Sequence, residues 1–269
     1  MARSIIHSLY SSTLFSRLSL FGPDQLKARA LVFAPHQDDE TLACGGTVYL
    51  KKQAGASVKM VFMTDGSNSH PGLIKRAELQ EVRGKEAVAA AAVLGVDQED
   101  LFFLDFEDGH LSEARQGAVA QVEEILRQQR PEQVFIPYTG EPPADHWITT
   151  EIVLDAMARC SCSATVYEYP VWYLYQWPWV GLGTDKGQWS SFIKKMIKSG
   201  LGTKPFFQFR SGVDIREALP VKRKALSQYR SQMEPYRSHP DWTTLTDVAN
   251  GQFLQCFFSG YEVFLLRNR

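Results

Sequence analysis

The 269 residues predict an α/β protein of three layers, a mostly parallel central sheet lying between helices. Three observations carry that prediction. Short apolar runs rich in β-formers recur along the chain, stretches of helical period stand between them, and polar clusters follow the apolar runs. Arg29–Pro35 (RALVFAP) is apolar and closed by proline, and it reads as a buried parallel strand. Thr41–Gln53 has helical spacing and stops at Ala54-Gly55. Ser57–Met63 is a second strand, followed by the polar loop Thr64–Gly72. Ile74–Leu94 is a long Ala-rich helix ended by Gly95, and Leu101–Leu104 is a third strand. Ser112–Gln129 reads as a helix capped by Ser112, Gln133–Pro137 as a fourth strand, Asp145–Ala158 as a helix and Ala164–Tyr169 as a fifth strand. This order is Rossmann-like, and sheets of that kind bind ligands at the carboxyl ends of their strands.

After Tyr169 the pattern changes. Residues 170–206 hold four of the six Trp, with Tyr173, Tyr175 and Pro178 among them. The reading is one domain over 1–269, with a core at about 29–168 and an aromatic-rich C-terminal elaboration at about 169–269. Within the elaboration, Tyr169–Trp189 suits a wall over a site, and Lys194, Lys195 and Lys198 suit a solvated helix face. Asp214–Arg230 reads as a basic amphipathic helix and Gln252–Leu266 as one or two closing strands. Met1–Phe21 has apolar residues at helical spacing, which suits a helix packed on the domain or lying on a membrane surface.

Lys plus Arg number 29 and Asp plus Glu 30, a formal net charge of −1, which argues against a nucleic-acid partner. Four cysteines form no CxxC pair, so a reducing compartment, the cytoplasm, is expected. No GxGxxG follows the first strand, which disfavours a plain dinucleotide-binding domain.

The chemistry concentrates after that strand, in Pro35-His36-Gln37-Asp38-Asp39-Glu40-Thr41. One imidazole and three carboxylates in five residues repel one another unless something positive joins them. A divalent cation is one solution, with His36 and Asp39 converging on it and Asp38 left as a free carboxylate. An acidic helix N-terminus is the other, although it accounts for the carboxylates and not for His36. A catalytic zinc site ordinarily has three protein ligands. Of the six histidines, His146 is the best third ligand because it follows the fourth strand; His70 and His110 are rivals, and His7 and His239 lie outside the core pattern.

The run Ala34-Pro35-His36-Gln37-Asp38-Asp39-Glu40-Thr41-Leu42-Ala43-Cys44-Gly45-Gly46 resembles the signature of the PIG-L/LmbE-like deacetylases, with Gln37 in place of the usual second Pro. Further resemblances follow in order: Met63-Thr64-Asp65-Gly66, Arg83-Gly84-Lys85-Glu86, Asp108-Gly109, Asp145-His146, and Lys224-Ala225-Leu226 with Ser231-Gln232. The resemblance implies a zinc enzyme that removes the acetyl group of an N-acetylglucosamine-type sugar, lipid-, nucleotide- or glycoside-linked. It implies zinc on His36, Asp39 and His146, a ligand set that also suits ferrous iron. It makes Asp38 the general base, Arg83 a contact to substrate hydroxyls or to a catalytic carboxylate, Asp108 a contact to substrate hydroxyls, and Asp145 the partner that orients a metal-bound His. One departure stands out: Pro143 occupies the place of the family's oxyanion-stabilising His. His110, Tyr138 and Glu141 are stand-ins by position only. The aromatic segment and the N-terminus tilt the reading toward glycan or lipid-linked substrates, with peripheral contact at the inner face of the membrane. The alternatives are a catalytically degenerate sugar-binding protein of the same fold and a metal hydrolase of a different bond.

Overall fold

The computed structural model describes residues 12–176, 180 and 204–267. The strands are β1 (Ser19–Leu20), β2 (Ala30–Ala34), β3 (Val58–Thr64), β4 (Leu101–Phe106), β5 (Gln133–Pro137), β6 (Thr165–Tyr169), β7 (Ser211–Asp214) and β8 (Tyr261–Arg267). They form one 8-stranded sheet in the order β1-β7-β8-β6-β5-β2-β3-β4. The strands from β6 to β4 are parallel, as β1 is to β7, and β8 runs antiparallel to both of its neighbours.

Every residue of β2 and β5 is buried. A strand covered on both faces has no solvent side for polar residues, which is why these runs are apolar apart from Gln133 at the start of β5. Ala30, Val32 and Ala34 of β2 pack into one apolar layer, and Leu31 and Phe33 into the other. Helices α1 (Asp39–Gln53) and α2 (Arg76–Leu94) feed Leu42, Val48, Ala90 and Leu94 to the first layer. Helices α3 (Arg115–Gln129) and α4 (Ala144–Arg159) feed Val119, Val122, Ile148 and Ile152 to the second. Gly95, at φ 83°, makes the left-handed turn that ends α2.

The chain passes from β2 through β3 to β4 on one side and returns through β5 and β6 on the other. A crevice therefore opens at the carboxyl ends of β2 and β5, where the connections diverge. The turn after β2 carries His36, and the first turn of α4, which follows β5, carries His146.

Several boundaries differ from expectation. Helix α1 begins at Asp39, not Thr41, and α3 begins at Arg115, not Ser112, with Ala114 at its cap position. Burial of Leu111 in the second layer overrides the cap signal, and the chain from His110 to Ala114 makes tight turns instead. The helix expected over Asp214–Arg230 is three pieces: Asp214 ends β7, α5 spans Leu219–Leu226, and α6 spans Arg230–Met233. The break falls at Tyr229, a fully buried ring whose hydroxyl is anchored on Glu40. Within Gln252–Leu266, Gln252–Gln255 is helical and the strand is confined to β8. The N-terminal helix does not reach Phe21, because Ser19–Leu20 joins the sheet edge beside β7. Leu14 is fully buried and Phe15 stacks on Tyr261 at 4.8 Å. Met1–Ser11, the later Trp residues of the aromatic segment and Lys194, Lys195 and Lys198 lie outside the described residues. No helix among the described residues is long and apolar enough to cross a membrane. The region after residue 204 is more than an elaboration, since β7 and β8 complete the sheet itself.

Strand β8 also reaches into the helical layer. Glu262 accepts hydrogen bonds from Gly46 N (2.8 Å) and Thr47 N (2.7 Å) of α1 and from Lys222 Nζ of α5 (2.7 Å). The side chains of Lys222 and Glu262 are almost wholly buried. Glu262→Ala leaves a buried ammonium without its counter-charge, and it is expected to cost about 3–5 kcal/mol. A urea midpoint unchanged from the parent would contradict this bracing role.

Candidate metal centre

The turn after β2 is held from three sides. Thr64 donates to Pro35 O through its amide (3.0 Å) and hydroxyl (2.8 Å), and Gln37 Nε2 donates back to Thr64 O at 2.7 Å. Arg83 of α2 donates to Gln37 O at 2.5 Å and to Gly66 O at 3.3 Å. Asp38 sits at φ 138°, a conformation that costs a non-glycine residue roughly 1–3 kcal/mol. Its amide donates to Glu40 Oε2 at 3.1 Å, and Glu40 is itself fixed by the hydroxyls of Thr41 and Tyr229. The local geometry is thus imposed by the surroundings, and it turns the Asp38 carboxylate toward Arg83 Nη2 at 3.5 Å.

At the centre lies Asp39 Oδ2. His36 N donates to it at 3.1 Å, His36 Nδ1 lies 3.3 Å away, and His146 Nε2 lies 3.4 Å away. The other edge of His36, Nε2, faces Asp108 Oδ1 at 3.1 Å and Asp145 Oδ2 at 3.5 Å. Asp108 Oδ2 accepts from Asn68 N (2.9 Å), and Asp145 Oδ2 from Gly109 N (2.7 Å). Asp65 shapes the adjoining loops by accepting from Ser67 N and Asp108 N. His146, in the first turn of α4, is fully buried, and neither of its ring nitrogens makes a hydrogen bond.

The charge balance follows from this crowding. Burial pushes Asp38 up to about 8, against the pull of the Arg83 guanidinium. Burial works the same way on Asp39, but His146 and His36 outweigh it and hold its carboxyl below the usual range. Burial drives His146 down to about 4, against Asp39. His36 is also disfavoured as a cation by burial, yet its bonds to Asp108, Asp145 and Asp39 carry it well above an ordinary imidazole. Asp108 is lowered, its His36 bond outweighing burial.

Two sets of ligand atoms lie within 4.8 Å of one another: His36, Asp39 and His146, and His36, Asp108 and Asp145. The carboxylates of both sets accept backbone amides, so the imidazoles distinguish them. The first set contains the imidazole with two bare nitrogens, an arrangement that is costly in a buried site and natural for a cation ligand. These residues fit a divalent metal, and the mixture of two His and one carboxylate suits Zn2+ or Fe2+.

The centre opens into a cavity of about 260 Å³. His36, Asp38, Asp39, Arg83 and Asp108 border it on one side, and Asn68, Trp172, Gln232 and Leu245 on the other. Trp172, Gln232 and Leu245 reach the cavity from segments far along the chain; the aromatic segment and the Ser231-Gln232 resemblance point to the first two, and nothing in the sequence points to Leu245. Trp172 makes the aromatic segment a wall in part: Phe253 stacks on its ring at 4.8 Å, and Tyr173 packs inward against Tyr138 and Phe209.

The rival histidines are elsewhere. His70 stacks on Trp242 at 3.7 Å with Nε2 against Thr243 O, and His110 is half exposed and paired with Glu113. The stand-ins for the missing donor also have other tasks. Tyr138 donates to Gln208, and Glu141 accepts three backbone amides. Arg83 is 2% exposed and engaged with main-chain carbonyls, a brace for the Asp38 turn. Gly66 is the close approach that permits this brace: at φ 63°, a Cβ there would lie 2.2 Å from Gln37 Oε1. Gly66→Ala is expected to cost about 1–3 kcal/mol by thermal denaturation; a neutral substitution would show that the Gln37–Arg83 packing is loose.

Residues 31–157 match the family described as PIG-L, GlcNAc-PI de-N-acetylase. The chain is 31% identical over 124 residues to the diacetylchitobiose deacetylase of Thermococcus kodakarensis, covering 44% of this chain and 45% of that protein. It spans about half the length of the curated relatives it matches. Among solved structures, it is similar to the N,N'-diacetylchitobiose deacetylase of Pyrococcus horikoshii, with a TM-score of 0.62 and 22% identity, over 99% of this chain and 93% of that one. It is also similar to the 4-carboxy-2-hydroxymuconate hydratase of Pseudomonas putida, with a TM-score of 0.58 and 18% identity over 76% and 80% of the two chains. At those identities, the structural likeness shows a shared fold.

Proposed function

We propose that this chain is a PIG-L (LmbE-like) deacetylase, a metal-dependent hydrolase that removes the N-acetyl group from an N-acetylglucosamine-type sugar, releasing acetate and the free amine. The observation that carries the reading is the bare, buried His146 imidazole beside Asp39 and His36. His36, Asp39 and His146 would hold the metal. When bound, Zn2+ lowers the pKa of a water to about 7 and polarises an amide carbonyl.

Asp38 borders the cavity without belonging to the ligand set. It takes the proton from the attacking water and returns it to the leaving amine. Its strained backbone and the Arg83 contact fix where that carboxylate stands. Asp108 and Asp145 orient His36 through Nε2. Asn68 and Gln232 offer hydrogen bonds to sugar hydroxyls, and Trp172 offers apolar surface to the sugar.

A second reading rests on Pro143, which lines the cavity where the family resemblance expects a histidine donor. It makes the protein a metal-holding sugar binder, or a hydrolase of another bond.

The deciding measurement is acetate release from N-acetylglucosamine-containing compounds, with metal stripped and then restored as zinc. Turnover is expected to vanish on stripping and return with zinc. Asp38→Asn is expected to lower kcat by about 10²–10⁴ while zinc still binds. Stoichiometric zinc without turnover on any N-acetyl sugar would favour the second reading.

A further inference from the structure

The centre has two matched halves. His36 points Nδ1 at Asp39 and Nε2 at the Asp108 carboxylate. His146 points Nε2 at Asp39 and Nδ1 at Glu141 Oε2, 3.6 Å away. A metal-ligating imidazole ordinarily donates its second N–H to a carboxylate, which sets the tautomer and the ring's orientation. Asp108 stands in that place for His36. The sequence suggested Glu141 only as a stand-in for a missing donor, a task its carboxylate is not placed to perform.

Resting on the metal-centre reading above, we propose that Glu141 is a positioning residue: it keeps the His146 proton on Nδ1, leaves Nε2 open to the metal, and ties that imidazole to the Val171–Tyr173 turn that carries the Trp172 wall. The Glu141 side chain is fully buried between β5 and α4. Its Oε1 accepts from Val171 N (2.8 Å) and Tyr173 N (3.1 Å), and its Oε2 accepts from Trp172 N (2.7 Å). Three main-chain donors thus fix both oxygens, and the remaining side of Oε2 faces His146 Nδ1. Any movement of this carboxylate shifts the cavity wall and the imidazole together.

The arrangement gives Glu141→Gln a specific consequence. The substituted amide keeps most main-chain bonds if its oxygen takes the Oε1 position, where two amides donate. Its NH2 group then faces His146 Nδ1 and donates to it, so the imidazole proton moves to Nε2. That tautomer blocks the nitrogen facing Asp39.

The test uses the full chain and needs no substrate. In metal-free parent protein, the ¹⁵N shifts of His146 are expected to show Nδ1–H, and in Glu141→Gln they are expected to show Nε2–H. Zinc affinity, read by competition with a chelator, is expected to fall about 10–100-fold in Glu141→Gln. Zinc affinity within about twofold of the parent, in a folded variant with Nδ1–H retained, would overturn the proposal. So would Nε2–H in the parent, a result that stands whether or not the variant folds. Neither readout depends on turnover, so the positioning role and the deacetylase reading fail independently.

Discussion

One carboxylate oxygen organises this site. Asp39 Oδ2 is approached by a main-chain amide and two imidazoles within 3.4 Å, and those imidazoles come from segments on opposite sides of the sheet's switch point. Such a meeting is unfavourable for isolated groups, because burial strips each of them of water. It persists because each partner is held from behind: His36 by Asp108 and Asp145, His146 beside Glu141, and the Asp38 turn by Arg83 and Glu40. Most of these bracing side chains are in turn fixed by main-chain amides and carbonyls. The geometry around Asp39 is therefore set by the folded backbone before any ligand arrives, which is how a small polar cluster stays preorganised in a low-dielectric crevice.

The parallel sheet and the chemistry are linked through its topology. A continuous apolar strand, buried on both faces, must end abruptly in a polar turn, and the turn after β2 emerges beside the loop after β5. Glu141, Pro143 and His146 all lie on that second loop or at the helix that follows it. The histidine proposed as a ligand, the carboxylate proposed to orient it and the proline at the place of the family's donor are thus neighbours in sequence with separate places in the fold.

Much of this was legible in the sequence because the signals are local. The apolar runs mark β2 to β6, and the crowding of His36, Asp38 and Asp39 announces a shared charge. The misreadings have a common physical origin. Tyr229 interrupts a sequence with good helical periodicity because its hydroxyl is held by Glu40, 189 residues away. Ser112 loses its cap role to the burial of Leu111. Ser19 and Leu20 form an edge strand only because β7 lies beside them. Trp172, Gln232 and Leu245 reach the cavity through tertiary packing alone, and no spacing rule relates them to His36. Glu141 was visible as a carboxylate near the second histidine, but its partners, three amides some thirty residues on, were not.

The place of β8 in the sheet bears on how the molecule is made. Glu262 closes on amides 215 and 216 residues earlier, and β8 is the strand that joins β7 to the rest of the sheet. Helix α1, which starts beside the metal ligands, therefore acquires its bracing carboxylate only after nearly all the described chain has left the ribosome. Contacts of such sequence separation are slow to form. During synthesis, the early α/β units would collapse first and wait with an unfilled edge on β6, a surface open to pairing with other chains until β8 arrives.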